Sequence, residues 1–282
     1  MDYGDEMDGI LIVNKPAGMT SHDVVNRLRK ILKTKKIGHT GTLDPQATGV
    51  LIVLVGKACK ILQFLKDTDK TYQAGIQLGY ATDTMDIFGN VTEEKEICSD
   101  FNFEEVLQTF QGKIRQLVPM TSAKKIHGKK LMEYQRENIE IKPLYQDVEI
   151  YSIHALNAEN LTFEVHCSSG TYVRSLCHEF AQKTNNVGCM KSLTRTRVGR
   201  FSIEQAQSLE EIKDSAKLYP MENLLSHIVR IDMDDIQDII YGKTIWLKEQ
   251  DEDLVCIYHD NQPIAIYEKF EKGHYRSKRG LW

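Results

Sequence analysis

Uninterrupted apolar runs predict several buried strands in the first half of the chain. They cover residues 9–13 and 50–55, and runs of this length bounded by turn residues are typical of strands buried on both faces. Residues 72–78 predict a further strand. Residues 161–166 instead alternate between apolar and polar positions, which predicts a strand with one exposed face.

Apolar residues spaced three and four positions apart predict helices between these strands. The first follows Thr20 or Ser21, either of which can cap a helix, and extends to about Leu32 with basic residues on its outer faces. The other segments with helical spacing are 57–66, 103–110 and 171–180. Because strands and helices alternate at uneven intervals, without a repeated strand–helix–strand unit, the pattern predicts an α+β fold with a mixed sheet.

The last quarter of the chain has a different pattern. Residues 204–238 are strongly acidic and are expected to form helical linking structure. Two apolar runs at 254–258 and 263–267 then flank an Asp-Asn-Gln turn, which predicts a β-hairpin. We therefore expect a main domain over residues 1–228 and a small β domain over residues 229–282.

A long segment without clear periodicity lies inside the expected main domain. Between about residues 120 and 150, polar and basic residues are interrupted by Gly128 and Pro143. Segments of this length within a compact domain are usually functional or disordered, so this one is a candidate binding element.

Composition and the N-terminal sequence exclude several classes of protein. The N-terminus lacks the basic and apolar regions of a signal peptide, and no apolar run reaches membrane-spanning length, so we expect a cytoplasmic protein. The six cysteines are widely spaced, which is typical of reduced, mostly buried thiols rather than of a zinc site.

The net charge conceals a strong segregation of charge. Residues 204–238 contain nine acidic and three basic residues, a net of −6, which leaves +2 for the rest of a chain whose net charge is −4. Single basic clusters are usually solvated surface, but four of them in one chain suggest an RNA-binding face. The clusters are 27–36, 124–130, 191–200 and 272–279.

The most informative motif surrounds an aspartate in a glycine-rich loop. Taken alone, Asp44–Pro45 also fits a helix N-cap followed by its first residue. The longer string Leu-Asp-Pro-x-Ala-Thr-Gly-x-Leu, from Leu43 to Leu51, resembles the active-site motif of the TruB class of pseudouridine synthases. Other motifs of that class follow in order: Lys15-Pro16-x-Gly18, Lys70-Thr71-Tyr72, Thr82-Asp83-Thr84-x-Asp86, Ser169–Leu176 and Leu193-x-Arg195 followed by Gly199.

This resemblance covers about residues 9–201 and implies a pseudouridine-synthase fold, with a mixed, largely antiparallel sheet flanked by helices. The C-terminal region resembles a PUA domain, an RNA-binding β module, through Gly242–Lys243 and the hairpin pattern. The class converts a T-loop uridine of tRNA, U55, to pseudouridine by base flipping and assists tRNA folding. The resemblance therefore implies a monomeric isomerase that acts on the T-arm and elbow of tRNA without a cofactor or metal.

The resemblance also implies roles for individual residues. Asp44 would be the catalytic carboxylate, kept ionised by Arg174, and Tyr72 would stack on the flipped uracil and help to move a proton from it. Whether Asp44 attacks the base, attacks the sugar or acts as a base is left open. The substrate-binding residues implied by the same motifs are His39, Tyr172, Leu193, Asp86, Lys15, Lys124, Lys129 and Arg136.

One position departs from the family pattern. Thr121 stands where the family usually has tyrosine before Ser122 and Ala123. The replacement bears on the packing or the RNA contact of that loop.

Other functions stay open on the sequence. A non-catalytic RNA-binding or RNA-folding protein could keep the scaffold, although the intact set of Asp44, Tyr72 and Arg174 argues against it. A metal-dependent RNA hydrolase could use Asp83 and Asp86, but two carboxylates without further ligands are weak evidence for a metal site. A sister specificity for ribosomal RNA is disfavoured by the Asp44 loop.

Overall fold

The computed structural model describes residues 7–65, 68–137 and 139–282. In chain order its strands are β1 (Gly9–Lys15), β2 (Ile37–His39), β3 (Thr48–Val55), β4 (Lys70–Leu78), β5 (Tyr80–Thr82), β6 (Val91–Glu94), β7 (Gly112–Leu117), β8 (Lys125–Ile126), β9 (Lys129–Lys130), β10 (Tyr145–Asn157), β11 (Thr162–Cys167), β12 (Gly188–Val198), β13 (Phe201–Ser202), β14 (Val229–Asp232), β15 (Ile245–Trp246), β16 (Leu254–His259), β17 (Gln262–Glu271) and β18 (His274–Gly280).

The helices are short and belong mainly to the first 214 residues. In chain order they are α1 (Ser21–Ile31), α2 (Phe103–Gln108), α3 (Leu131–Arg136), α4 (Val173–Lys183), α5 (Leu209–Asp214) and α6 (Gln237–Ile240), with 3₁₀ helices at Gly56–Phe64, Ile203–Gln205 and Met221–Leu224. Thr20 caps α1 by a reciprocal capping box with Asp23. The segment expected as a helix over 57–66 is instead the first 3₁₀ helix. None of the helices in the described ranges is long and apolar enough to cross a membrane.

A nine-stranded sheet forms the centre of the fold. Its main order is β1-β3-β12-β4-β11-β10-β7, with β2 beside β3 and β13 beside β12. Strand pairs in this sheet are antiparallel except for β3 and β12, which run parallel over one short stretch. The predicted α+β fold with a mixed, largely antiparallel sheet is therefore confirmed. α2 packs on β10, α4 packs on β12 and β4, and the two helices bury Leu107, Leu176 and Phe180.

The acidic segment 204–238 is not the helical linker expected from its composition. Only α5, α6 and two 3₁₀ turns are helical there, because part of the segment extends along the free edge of β1. Tyr219 exchanges two backbone hydrogen bonds of 2.8 Å with Ile10, and Gln207 is bonded to Ile12 and Asn14. These contacts cover an edge that would otherwise expose unpaired backbone groups.

A second, five-stranded sheet begins at Val229, in the order β14-β16-β17-β18-β15. It contains the predicted hairpin of β16 and β17, whose turn residues Asp260 and Asn261 both have positive φ. The second sheet is not packed separately from the first. Its Tyr258 and Ile266 belong to the same buried cluster as Ile10 of β1.

The segment between residues 120 and 150 is only partly irregular. It contains the β8–β9 hairpin, then α3, and then the first part of β10. Leu131 is fully buried at the start of α3, so the segment is anchored although its outer surface is polar.

Candidate active site

A cleft of about 910 Å³ opens beside the central sheet. It brings together residues from the loop before β3, from β4, from the start of α4 and from β12, which are far apart in the sequence. Five of the residues singled out from the sequence line it: Asp44, Tyr72, Tyr172, Arg174 and Leu193.

The Asp44 loop is fixed on both sides of the carboxylate. Leu43 and Ala47 are buried in the core cluster under the cleft, and the Ala47 amide donates to the Asp44 carbonyl over 3.1 Å. The Ser21 hydroxyl accepts a 2.9 Å hydrogen bond from the Leu43 amide. Asp44 keeps 36% of its side chain exposed, so a rigid loop presents an accessible carboxylate to the cleft.

Lys15 lies beneath this loop and is fully buried. Its ammonium donates to the carbonyls of Pro16 at 2.9 Å, Met19 at 2.6 Å and Pro45 at 2.9 Å. All three N–H groups are thus used, and burial lowers the Lys15 pKa to about 8. The expectation that Lys15 contacts substrate is not met by this geometry, because the ammonium is enclosed; it positions the loop instead.

Arg174 is the cationic partner of Asp44. Its side chain is 5% exposed, and Nε lies 3.1 Å from Asp44 Oδ2 while Nη2 lies 3.4 Å from Oδ1. The remaining N–H groups donate to the Thr84 carbonyl at 2.9 Å, the Thr121 carbonyl at 3.4 Å and the Thr121 hydroxyl. Four hydrogen bonds and the Nε contact with Asp44 thus give the buried guanidinium a partner on each of its nitrogens.

Tyr72 forms part of the floor of the cleft. It is 8% exposed, and burial raises the pKa of its hydroxyl, an effect that the Arg195 guanidinium opposes. Arg195 pairs with Tyr72 across β12 and β4. The phenol is therefore protonated near neutral pH and lies next to a fixed positive charge.

Arg195 belongs to the basic cluster 191–200, which suggests an RNA-binding face in the sequence, and the structure corrects that interpretation for this residue. The residue is 2% exposed. Its Nε donates to the Val50 carbonyl at 2.8 Å. Its Nη1 donates to the Thr42 carbonyl and its Nη2 to the Gly41 carbonyl, both at 3.4 Å. Arg195 therefore joins β12 to both the loop and the strand that flank Asp44. The motif Leu193-x-Arg195 marks this position, but the basic run around it gives no sign that the guanidinium is buried.

The two remaining wall residues are positioned by the core. Leu193 packs against the same buried cluster as Tyr72. The Tyr172 amide donates to the Gln116 side-chain oxygen at 2.7 Å, just before α4 begins. Both residues line the same cleft as Asp44.

His39 and Asp86 do not lie among the residues that line the cleft. His39 ends β2 at the start of the Asp44 loop, and burial lowers its pKa, so the ring is neutral near pH 7. Asp86 accepts hydrogen bonds from the Thr84 hydroxyl at 2.8 Å and the Phe88 amide at 3.0 Å. Asp86 thus shapes the turn whose Thr84 carbonyl binds Arg174, which is an indirect relation to the site.

The cationic residues of the 120–150 segment lie next to the cleft rather than in it. Lys124 is exposed and contacts the Gln146 side chain at 3.3 Å. Lys129 pairs with Glu137 and lies 4.9 Å from the centre of the Tyr134 ring, whereas Arg136 is exposed at the end of α3. Ser122, Ala123 and Met132 of the same segment line the cleft.

The carboxylates proposed for a metal site are used in local turns. Asp83 accepts from the backbone and side chain of Asn90 at 2.9 and 3.1 Å, and Asp86 is bonded as described above. Among the described residues, no group of three or more His, Cys, Asp or Glu side chains is arranged to bind a metal ion. The residues present do not support a hydrolase built on Asp83 and Asp86.

Comparison with known proteins identifies the family to which this chain is similar. The sequence model of the TruB family pseudouridylate synthase N-terminal domain matches residues 29–173. The chain is 39% identical to tRNA pseudouridine synthase B of Oceanobacillus iheyensis and 42% identical to that of Bacillus pumilus, covering 93% of each chain in both cases.

The fold is shared with more distant structures. A chain in the crystal structure of a Cbf5–Nop10–Gar1 complex superposes with a TM-score of 0.72 at 24% identity, over 97% of this chain and 85% of that one. The resemblance found in the motifs is confirmed by the family match and by both relatives. Pseudouridine synthases are isomerases, and this chain belongs to the TruB family of pseudouridylate synthases.

Proposed function

We propose that this enzyme converts the T-loop uridine of tRNA, U55, to pseudouridine, with Asp44 as the catalytic carboxylate. The observation that carries the proposal is the Asp44–Arg174 ion pair at the wall of a cleft with Tyr72 in its floor. The names of the relatives, tRNA pseudouridine synthase B, support tRNA as the substrate.

The carboxylate is suited to act on a nucleotide in the cleft. Asp44 Oδ1 accepts one hydrogen bond from Arg174 Nη2, and Oδ2 lies 3.1 Å from Nε, which leaves lone pairs on both oxygens for a reacting atom. Arg174 is the cationic partner of this side chain, and both a nucleophile and a base would act as the carboxylate. The geometry is compatible with either role.

The target base has to leave its stack to reach Asp44. A cleft of about 910 Å³ is large enough for a flipped nucleotide. The Tyr72 ring would stack on the uracil, a contact worth about 1–3 kcal/mol, and its hydroxyl would help to move the proton from the base. Tyr172 and Leu193 would limit water, and His39 would contact the RNA that the base has left.

Recognition would rest on the phosphates around the flipped base. Lys124, Lys129 and Arg136 would bind phosphates and set the register of the tRNA elbow. We propose residues 1–228 as the catalytic domain and residues 229–282 as a PUA-like RNA-binding domain. We further propose that the protein is a cytoplasmic monomer that needs no cofactor.

The direct test is incubation of the purified protein with an unmodified tRNA transcript, without added cofactor or metal and with excess chelator. Pseudouridine is then mapped at nucleotide resolution. We expect modification at the T-loop uridine alone, with intact RNA. Asp44→Asn should abolish the product and leave tRNA affinity nearly unchanged, because affinity comes mainly from phosphates.

Asp214→Asn is the matched control, because it makes the same change at an exposed position on α5, outside the cleft. It should retain full activity. An Asp44→Asn enzyme that still forms pseudouridine would refute the assignment of the carboxylate. A wild-type protein that binds tRNA without modifying it would favour the non-catalytic RNA-folding alternative.

A further inference from the structure

The Arg174 guanidinium has a second partner besides Asp44. Thr121 accepts two of its four hydrogen bonds, one through the carbonyl at 3.4 Å and one through the hydroxyl. Thr121 also lines the cleft. The orientation of the guanidinium beside Asp44 is therefore set as much by Thr121 as by the carboxylate itself.

Thr121 also begins the segment that carries the exposed cations. The next carbonyl, that of Ser122, accepts a 3.3 Å hydrogen bond from the Met132 amide in α3, and Ser122 is 3% exposed. The Lys124 carbonyl accepts a 2.8 Å bond from the Leu131 amide at the start of the same helix. One hydrogen bond connects α3 to the residue next to Thr121, and a second connects it to Lys124.

We propose that Thr121 is a positioning residue for the reaction. Its hydroxyl and carbonyl orient the Arg174 guanidinium side-on to Asp44, and its place at the start of the 120–150 segment ties that orientation to the RNA-binding surface. The inference rests on the proposed function of Asp44 and adds a residue to it.

The threonine hydroxyl is a specific feature of this chain. A short β-branched side chain places Oγ1 within hydrogen-bonding distance of Nη1. A tyrosine at the same position would carry its hydroxyl several bonds farther from the backbone. In this protein, therefore, a side chain fixed close to the main chain supplies the contact to the guanidinium.

The test uses valine, which keeps the shape and branching of threonine and removes the hydroxyl. In T121V one N–H of a buried guanidinium loses its acceptor, and we expect the single-turnover rate to fall about 10- to 100-fold. The dissociation constant for tRNA should stay within about twofold of the wild type, because the phosphate contacts are unchanged. T121S restores the hydroxyl and should bring the rate back to within about fivefold.

A double-mutant cycle asks whether Thr121 acts through Arg174. If it does, T121V should slow R174K much less than it slows the wild type, since the positioned group has already been changed. Thr109→Val on the exposed end of α2 controls for removing a threonine hydroxyl elsewhere. Should T121V be poorly folded, T121A removes the same hydroxyl with less crowding, and the comparison with T121S is unchanged.

The outcomes separate the two proposals. Unchanged turnover in T121V, a parallel loss of rate and tRNA affinity, or full additivity with R174K would each overturn the role of Thr121 while the wild-type enzyme still forms pseudouridine. Absence of pseudouridine from the wild type in the same assay would instead refute the proposed function.

Discussion

The Lys15 ammonium lies 2.9 Å from the carbonyl oxygen of Pro45, the residue that follows the candidate catalytic carboxylate. Lys15→Met would leave that carbonyl and those of Pro16 and Met19 without this donor. We expect the free energy of unfolding to fall by about 1–3 kcal/mol and turnover to fall more than tRNA affinity. Thermal unfolding and single-turnover rates measure the two effects, and an unchanged rate would contradict a positioning role.

The same lysine predicts a pH dependence. Burial lowers its pKa from 10.5 to about 8, so above pH 8 the folded protein increasingly holds a neutral amine with two N–H groups for three carbonyls. The turnover rate should therefore decline above pH 8 as the Asp44 loop loosens. Lys15→Met has no group to titrate there and should lack that decline in a rate profile from pH 6.5 to 9.5.

The lowered pKa of Lys15 makes stability change with pH in the opposite direction to turnover. Between pH 8 and 10.5 the unfolded chain binds more protons at Lys15 than the folded protein does. The contribution of this group to the free energy of unfolding therefore rises with pH in that window. Denaturation experiments at several pH values should therefore show the free energy of unfolding of the wild type rising relative to that of Lys15→Met between pH 8 and 10.5.

Tyr72→Phe separates stacking from proton transfer. Phenylalanine keeps the ring in the floor of the cleft and removes a hydroxyl whose pKa burial raises. If the hydroxyl moves the proton of the base, the single-turnover rate should fall about 10²–10⁴-fold with tRNA affinity nearly unchanged. A small effect would restrict Tyr72 to stacking.

Gly49→Ala should damage the fold directly beneath the site. Gly49 has a φ of +101°, and a Cβ added there would lie 2.2 Å from the Arg195 carbonyl oxygen, at the short parallel contact of β3 and β12. The strands would have to separate, so we expect loss of several kcal/mol of stability or failure to fold. Gly38→Ala, where the added Cβ meets nothing within 4 Å, is the control.

Binding of tRNA should depend strongly on salt despite the net charge of −4. Arg136→Gln removes an exposed cation from α3, and we expect the slope of log affinity against log salt to become shallower by about one unit. Lys213→Gln on α5 should leave the slope unchanged. A flat salt response of the wild type would exclude the proposed phosphate contacts.

Local patterns predicted the parts of the structure that depend on local chemistry. The helix cap expected at Thr20 or Ser21, the strands around β1 and β3, the C-terminal hairpin and the α+β class all follow from side-chain periodicity and turn residues. The sequence motifs identified Asp44, Tyr72 and Arg174 as candidate catalytic residues, and in the structure all three line one cleft.

The missed features depend on contacts between distant parts of the chain. Arg195 bonds to the carbonyl of Val50, 145 residues away, and nothing in a basic run distinguishes a buried arginine from an exposed one. The edge of β1 is covered by residues around Gln207 and Tyr219, which composition alone suggested were helical. Burial of Lys15 likewise follows from the Asp44 loop folding over it.

The buried cluster shared by the two sheets fixes the distance between them. Ile10 and Ile52 of the first sheet and Ile266 of the second, with Leu281 just beyond it, lie in one buried cluster, so turning one sheet against the other would expose apolar side chains to water. The span from the cleft to the C-terminal sheet is therefore fixed by packing rather than by a linker. An RNA that contacts both would have to match a fixed distance between them. Replacing the C-terminal sheet with that of a relative would also require substitutions among the buried residues that the two sheets share.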